Sequence, residues 1–311
     1  MALAFDIGLA LLVLVLAAWT IRLQDTFSAV LAFVVLGLLV ALIWVRLQSV
    51  DVALTEAAIG SGVTGALLLG AAAHLRPTES AAMPPGAALC TAAGVLCAII
   101  TAGLGAIALL LPVPAPTLAP LAMASLPESG LGNPVTGVLF VYRALDTLLE
   151  KVVLVLALVG VWSLAADGAW GGIPALRPST RPDSTLTFLA ELLPPVGLLL
   201  AVYMCWTGAD HPGGAFQGGA LLTAMWLLVM LAGVRALPAT SLLRLRLLLV
   251  AGPMLFLVIG LAGFALAGAF LAYPAGHAKA LIIIAEAALT LSIGVTLALL
   301  AAGPAEGTRS P

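Results

Sequence analysis

Four charged residues lie close together in Tyr-Arg-Ala-Leu-Asp-Thr-Leu-Leu-Glu-Lys, which falls inside an apolar run long enough to cross a bilayer. Arg143, Asp146 and Glu150 are spaced i, i+3 and i+7, which sets them on one face of a helix, while Lys151 points about 100° away. An ionised side chain at the bilayer centre costs on the order of 3 kcal/mol by insertion scales, so each marks a partner or a task. Burial disfavours the charged forms of both Glu150 and Lys151, and the pair is expected to exchange protons near neutral pH. The structural alternative is an ion pair with a neighbouring helix.

Three further positions pose the same question. Asp51 and Glu56 fall in Val-Asp-Val-Ala-Leu-Thr-Glu. Asp51 is expected to cap the third span by accepting from unpaired backbone N–H groups. Glu56 sits roughly 7 Å deeper, either functional or reaching back to the interface. Glu191 precedes Pro194 and Pro195, which are expected to break or kink their helix. Glu286 lies roughly 10 Å into the last span with Thr290 one turn on and no positive residue within a turn, so any counter-charge must come from another helix or subunit.

Between two apolar runs stands a polar, glycine-dense hinge, residues 207–219, containing Asp210, His211, Pro212, Gly213, Gly214, Gln217, Gly218 and Gly219. Its glycines permit unusual backbone angles and close helix approach, so that non-helical backbone can sit at membrane depth inside protein. Asp210 or Gln217 is expected to satisfy the hinge's backbone groups. His211 could sense protons or stabilise the turn. His74 and His277 read as solvated loop residues. Cys90, Cys97 and Cys205 lack ligand-like spacing to histidines and read as apolar packing, with no disulfide framework, metal site or other cofactor expected.

The elements that must position these groups follow from composition. Of 311 residues, 63% are hydrophobic and 8% charged, and the mean hydropathy is +1.22. That excludes a water-soluble domain. At roughly 20 apolar residues per crossing, the chain predicts an all-α, polytopic transmembrane protein with about nine membrane-spanning helices, near 3–21, 26–45, 52–73, 88–111, 138–165, 185–206, 215–234, 247–271 and 279–302. Arg22, Arg76, Arg177, Arg181, Arg235, Arg244, Arg246 and Arg309 then fall on one side, against Arg46, Arg143 and Lys279 on the other. The positive-inside tendency places the amino terminus outside and the carboxyl terminus in the cytoplasm. The first run carries Asp6 and no preceding basic residue, so it is expected to remain as a span. A net charge of −2 excludes a nucleic-acid partner. The absence of a phosphate loop or Ser-His-Asp set points away from an enzyme. Loops at 74–87 and 166–184 divide the chain into blocks 1–78, 79–183 and 184–311, and the proline-rich stretch 112–134 reads as an ordered outer-face loop.

A resemblance covers nearly the whole chain. Asp-His-Pro-Gly-Gly-Ala-Phe-Gln-Gly-Gly, residues 210–219, resembles the signature of the B subunit of Mrp-type (Mnh) multisubunit sodium/proton antiporters, in which a last-span glutamate corresponds to Glu286. Residues 50–60 resemble the D-type component of membrane-bound hydrogenases, a region also found in the carboxyl-terminal part of the Mrp A subunit. Asn133-Pro-Val-Thr with Arg143-Ala-Leu-Asp-Thr-Leu-Leu-Glu resembles the E-type hydrogenase component. Leu149, Lys151 and Ala215 depart from those patterns and leave the route around Glu150 and Lys151 open. The resemblance implies a subunit of a complex I-related membrane arm in the cell's inner (cytoplasmic) membrane, in contact with lipid and other membrane subunits, that handles H+ and, as a second candidate, Na+. In this reading Glu150 and Glu286 load and release protons or bind a cation, Arg143, Asp146 and Lys151 set the charge balance, and Glu56 links to a neighbour. Two alternatives stand beside it: a membrane-arm subunit of a hydrogenase-like or other respiratory oxidoreductase, and a structural scaffold.

Overall fold

The computed structural model describes residues 2–79, 86–112, 117–176 and 185–306; Arg177, Arg181 and Arg309 lie outside the described residues. The chain is helical almost throughout. In order come α1 (Ala2–Arg22), α2 (Thr26–Arg46), α3 (Val50–Thr55) continuing through a π-helical stretch (Glu56–Val63) into α4 (Thr64–Glu79), and α5 (Ala87–Leu110). Then follow α6 (Ala119–Ser125), α7 (Pro134–Gly137) running through a second π-helical stretch (Val138–Tyr142), α8 (Ala144–Trp162), α9 (Thr185–Thr207), α10 (Ala215–Leu231), α11 (Leu243–Ala267) and α12 (Ala278–Ala302). Two-residue strands β1 (Ile173–Pro174) and β2 (Ala305–Glu306) pair antiparallel.

Local signals explain several boundaries. The Asp25 carboxylate accepts from the Ser28 N–H at 2.8 Å, capping α2. Asn133 does the same for α7 through the Val135 N–H. Glycines in the left-handed region close α11 at Gly268 and the turn after α10 at Gly233, where a side chain would be strained.

Seven helices are long and apolar enough to cross a membrane, among the described residues. The other two expected spans form helices that fall short on one count each. Arg143 interrupts 138–165 with a non-helical backbone (φ −130°, ψ 37°), and the following α8 carries Asp146, Glu150 and Lys151. Helix α10 stops after 17 residues. Of the break or kink expected at Pro194-Pro195, the structure has no break: α9 runs through both prolines. His74, expected in a loop, is exposed within α4.

The helix ends sort onto two faces. At one, Arg46 pairs with Asp6 at 2.7 Å, Asn133 donates to the His211 carbonyl and Lys279 pairs with Asp210 at 2.7 Å. At the other, β1 meets β2, and the Thr240 and Ser241 N–H groups donate to Gly172 and Gly171. Of the proline-rich stretch 112–134, residues 113–116 lie outside the described residues; in the remainder Leu126 and Leu131 are buried, and the Gly132 and Asn133 N–H groups donate to the Ala209 carbonyl.

Helices α9 to α12 form the packed body, with α8 against α11 and α12. Burial concentrates on α12, where Ile282, Ala285, Leu289 and Ile293 are closed off. Helix α10 comes close enough to α12 that a methyl on Gly219 would lie 2.7 Å from the Ile293 side chain. The Thr223 hydroxyl bridges the pair, donating to the carbonyls of Gly219 and Gly294. Phe140 packs on Phe256 with ring centres 5.3 Å apart.

Candidate functional site

The hinge breaks the membrane body open between α9 and α10. Gly213 and Gly214 have φ of 154° and 122°, and a methyl on Gly213 would lie 2.6 Å from the Met204 carbonyl, so only glycine fits there. The Gly214 N–H donates to that same carbonyl at 2.8 Å. The Gly213 N–H, left without a helical acceptor, donates to the Asp51 carboxylate at 2.9 Å.

That bond corrects two expectations. Asp51 sits in the first turn of α3, whose capping residue is Ser49, and its carboxylate serves the hinge and Asn133 instead of its own helix. The groups expected to satisfy the hinge lie elsewhere: Asp210 pairs with Lys279, and the Gln217 amide donates to the Thr55 hydroxyl at 3.1 Å. His211 is exposed.

Behind the hinge lies a cavity of about 370 Å³. All three parts of the sequence contribute to its wall: Asp51 and Thr55 on α3; Thr147, Glu150 and Lys151 on α8; Gly213 to Gln217 at the start of α10; and Glu286 on α12. Both π-helical stretches reach it, through Ile59 on one side and Leu139 and Phe140 on the other. A π turn leaves backbone carbonyls without their usual donors and recurs at functional sites. Here Thr147 donates to the Leu139 carbonyl at 2.6 Å.

Glu286 is 2% exposed. The backbone N–H of Ala215 donates to its carboxylate, so the positive end of the α10 dipole faces it. Among the described residues its second oxygen has no hydrogen-bond partner. Nearby, outside the helices, the Tyr273 hydroxyl is likewise buried with no partner among them. Burial first, and the Glu286 charge second, hold its pKa above the usual phenol range.

Lys151 is 3% exposed, with its ammonium 3.6 Å from Glu150. It sits 3.3 Å from the centre of the Phe216 ring, a cation–π contact. Glu150 is half exposed and leads from the cavity to the outside of this chain.

A second cavity, about 330 Å³, opens at the hinge end between Gln48, Asn133, Asp210 and His211. Asp51, Val52 and Val135 line both spaces and form the wall between them. The Asp51 bonds to Gly213 and Asn133 run through this wall.

The other sequence-derived candidates lie off the cavity. Arg143 and Asp146 bond to each other on the exposed side of α8. Glu56 is half buried against α2, its carboxylate 3.2 Å from where a methyl on Gly37 would sit. Glu191 is exposed on α9. Cys205 is buried, whereas Cys90 and Cys97 are exposed on α5. Among the described residues, no group of three His, Cys, Asp or Glu is placed to hold a metal ion. Sequence reasoning missed Thr55, Thr147, Phe216 and the bond from Asn133 to Asp51. All four residues stand inside the motifs quoted above, Thr55 beside Glu56, Thr147 beside Asp146, Phe216 beside Gln217 and Asn133 at the head of Asn-Pro-Val-Thr, but none is ionisable and none drew a role.

Residues 11–77 match the MbhD family model, which represents the D-type component of MBH, and residues 185–303 match the domain related to the MnhB subunit of Na+/H+ antiporter. The chain thus has one stretch similar to MbhD and another similar to the MnhB-related domain. Asp51 and Thr55 lie in the first matched stretch, the hinge and Glu286 in the second, and Glu150 and Lys151 between them. Two solved structures share the fold. One is the Mrp complex from Dietzia sp. DQ12-45-1b, at 22% identity and a TM-score of 0.72 over 97% of this chain and 35% of that one. The other is the membrane-bound sulfane sulfur reductase (MBS), an archaeal respiratory membrane complex, at 25% identity and 0.57 over 68% of this chain and 95% of that one. The chain thus spans about a third of the Mrp chain it matches. No curated protein sequence matches it.

Proposed function

We propose that the chain is a membrane subunit of a multisubunit, complex I-related cation/proton antiporter, and that it carries protons between the carboxylates of its central cavity. The observation that carries this reading is the convergence of Asp51, Glu150, Lys151 and Glu286, from three separate parts of the sequence, on one cavity. Carboxylates placed in sequence from the hinge-end cavity through Asp51 to Glu286 and out past Glu150 offer successive proton sites. The MnhB-related match names the transporter class, and the fit to a chain of the Mrp complex supports a place among other membrane subunits.

In this reading the chain crosses the cytoplasmic membrane nine times, α8 and α10 included, because their ends fall on alternate faces like those of the seven longer helices. The basic residues of the β1/β2 face, Arg246 among them, put that face and the carboxyl terminus in the cytoplasm and the hinge outside. The middle block, 79–183, corresponds to the hydrogenase E-type unit between the D-type and B-type ones. No chemistry beyond ion transfer is assigned to the chain.

Glu286→Gln in the intact complex tests the reading. Proton-coupled transport in vesicles is expected to fall about a hundredfold, with assembly retained; wild-type transport would take Glu286, and the cavity with it, off the route. The similarity to a respiratory complex favours one second reading, in which the same cavity serves a redox-driven arm. Iron–sulfur subunits among co-purifying proteins would select it.

A further inference from the structure

Lys151 is the odd member of the cavity. Its ammonium can donate three hydrogen bonds, yet it is closed off from solvent and makes none. What holds it is charge: the Phe216 ring face at 3.3 Å and the Glu150 carboxylate at 3.6 Å. Burying a cation this way is costly unless its surroundings are negative.

The surroundings carry three carboxyl groups. Asp51 from α3, Glu150 from α8 and Glu286 from α12 line the same space and, with Lys151, are its only ionisable groups among the described residues. The Thr55 hydroxyl and the Gln217 amide add neutral oxygens from α3 and α10. Carboxylate, hydroxyl and amide oxygens are the ligands that hard metal cations take. One carboxylate oxygen, on Glu286, has no partner among the described residues. No three carboxylates there are placed to hold one metal ion together, so an alkali cation entering this space would keep much of its water and lean on Glu286, and it would meet a positive charge already in place. Two unit charges a few ångströms apart at a protein-like dielectric repel strongly enough to weaken binding by about a hundredfold or more.

We infer that Lys151 is the specificity-determining residue of the cavity: a tethered cation that keeps Na+ and other metal cations out while protons pass between the carboxylates around it. The inference rests on the cavity being part of an ion route, and it deepens that reading by naming the ion. A proton needs no coordination shell and can be taken up by one carboxylate at a time, so a fixed neighbouring charge tunes its passage without blocking it. A metal ion must bring its charge into the space intact. Phe216 has a share in the arrangement, since its ring face holds the ammonium inside the cavity.

Na+ binding to the purified full-length chain in detergent, measured by equilibrium dialysis with radioactive Na+, reads the inference directly. Wild type is expected to bind no Na+ above background at millimolar concentration. Lys151→Met removes the charge at nearly constant length and is expected to bind one Na+ per chain at least about tenfold more tightly. Adding Glu286→Gln to that variant should abolish the binding. Lys151→Arg, which stays charged at any accessible pH, should exclude Na+ as wild type does.

Three results would overturn the inference: Na+ binding by wild type that Glu286→Gln removes, no gain in Lys151→Met, or Met-like binding by Lys151→Arg. The last would show that positive charge at this position is not what keeps the ion out. Size exclusion and circular dichroism establish that each variant is folded; if Lys151→Met is not, Lys151→Gln is read by the same criteria. Because dialysis involves no transport, a Glu286→Gln complex with wild-type transport would remove the proposed proton route while leaving the selectivity result to stand or fall by itself.

Discussion

Helices α5 and α12 are nearly equal in length and alike in apolar character, yet more than half of α12 is buried in this chain and none of α5 is. The difference lies in what interrupts the apolar sequence. Helix α12 carries Glu286, Thr290, Ser292, Gly294 and Thr296, all buried. Ser292 donates to the Leu249 carbonyl, and Gly294 admits Leu222. Helix α5 has glycines too, at positions 94, 103 and 105, but none of the described residues comes within 4 Å of where their side chains would be. Small and polar residues hold helices together in a membrane because lipid is as apolar as leucine. Apolarity alone says that a segment enters the bilayer, and the polar interruptions say which segment faces protein.

The contrast can be broken most sharply at the glycines. Gly219→Val drives a side chain into Ile293 and is expected to cost about 1–3 kcal/mol or more, lowering the unfolding temperature of the purified chain by several degrees. Gly103→Val should leave it within error. Equal shifts would show that the α10–α12 contact is no tighter than the lipid-facing surface of α5.

A smaller loss is expected from Asp51→Ala, which strands the Gly213 N–H and costs about 1–3 kcal/mol, whereas Asp51→Asn keeps an acceptor and recovers most of it. If both variants melt like wild type, the wall between the two cavities does not depend on that carboxylate. Lys279→Ala should do least. Its bond to Asp210 is partly exposed, and the loss should stay below about 1 kcal/mol in the same melting experiment.

Much of the site was legible because its residues are expensive where they stand. Glu286, Glu150 and Lys151 stood out against apolar sequence, and the 100° offset of Lys151 from its charged neighbours is borne out as burial beside their exposure. The hinge was legible as glycine-dense backbone. Its acceptor was not, because Asp51 and Gly213 lie 162 residues apart and no local pattern links them. Nor were the π turns, which require a shift of one hydrogen bond that residue preference does not mark. The span count was blurred for a related reason: Glu150 and Lys151, which make α8 part of the site, together with Asp146 beside them disqualify it as an ordinary apolar crossing.

On the far face, the short segment at Gly171 to Ala175 reaches both the turn at Thr240 and the stretch from Pro304 to Glu306 that leaves α12. The segment that precedes the four-helix unit is thereby tied to the stretch that leaves it. Chain ends that meet at a surface make covalent continuity dispensable. The unit would hold the same shape inherited as a separate polypeptide or tethered, as here, behind the helices that complete its cavity.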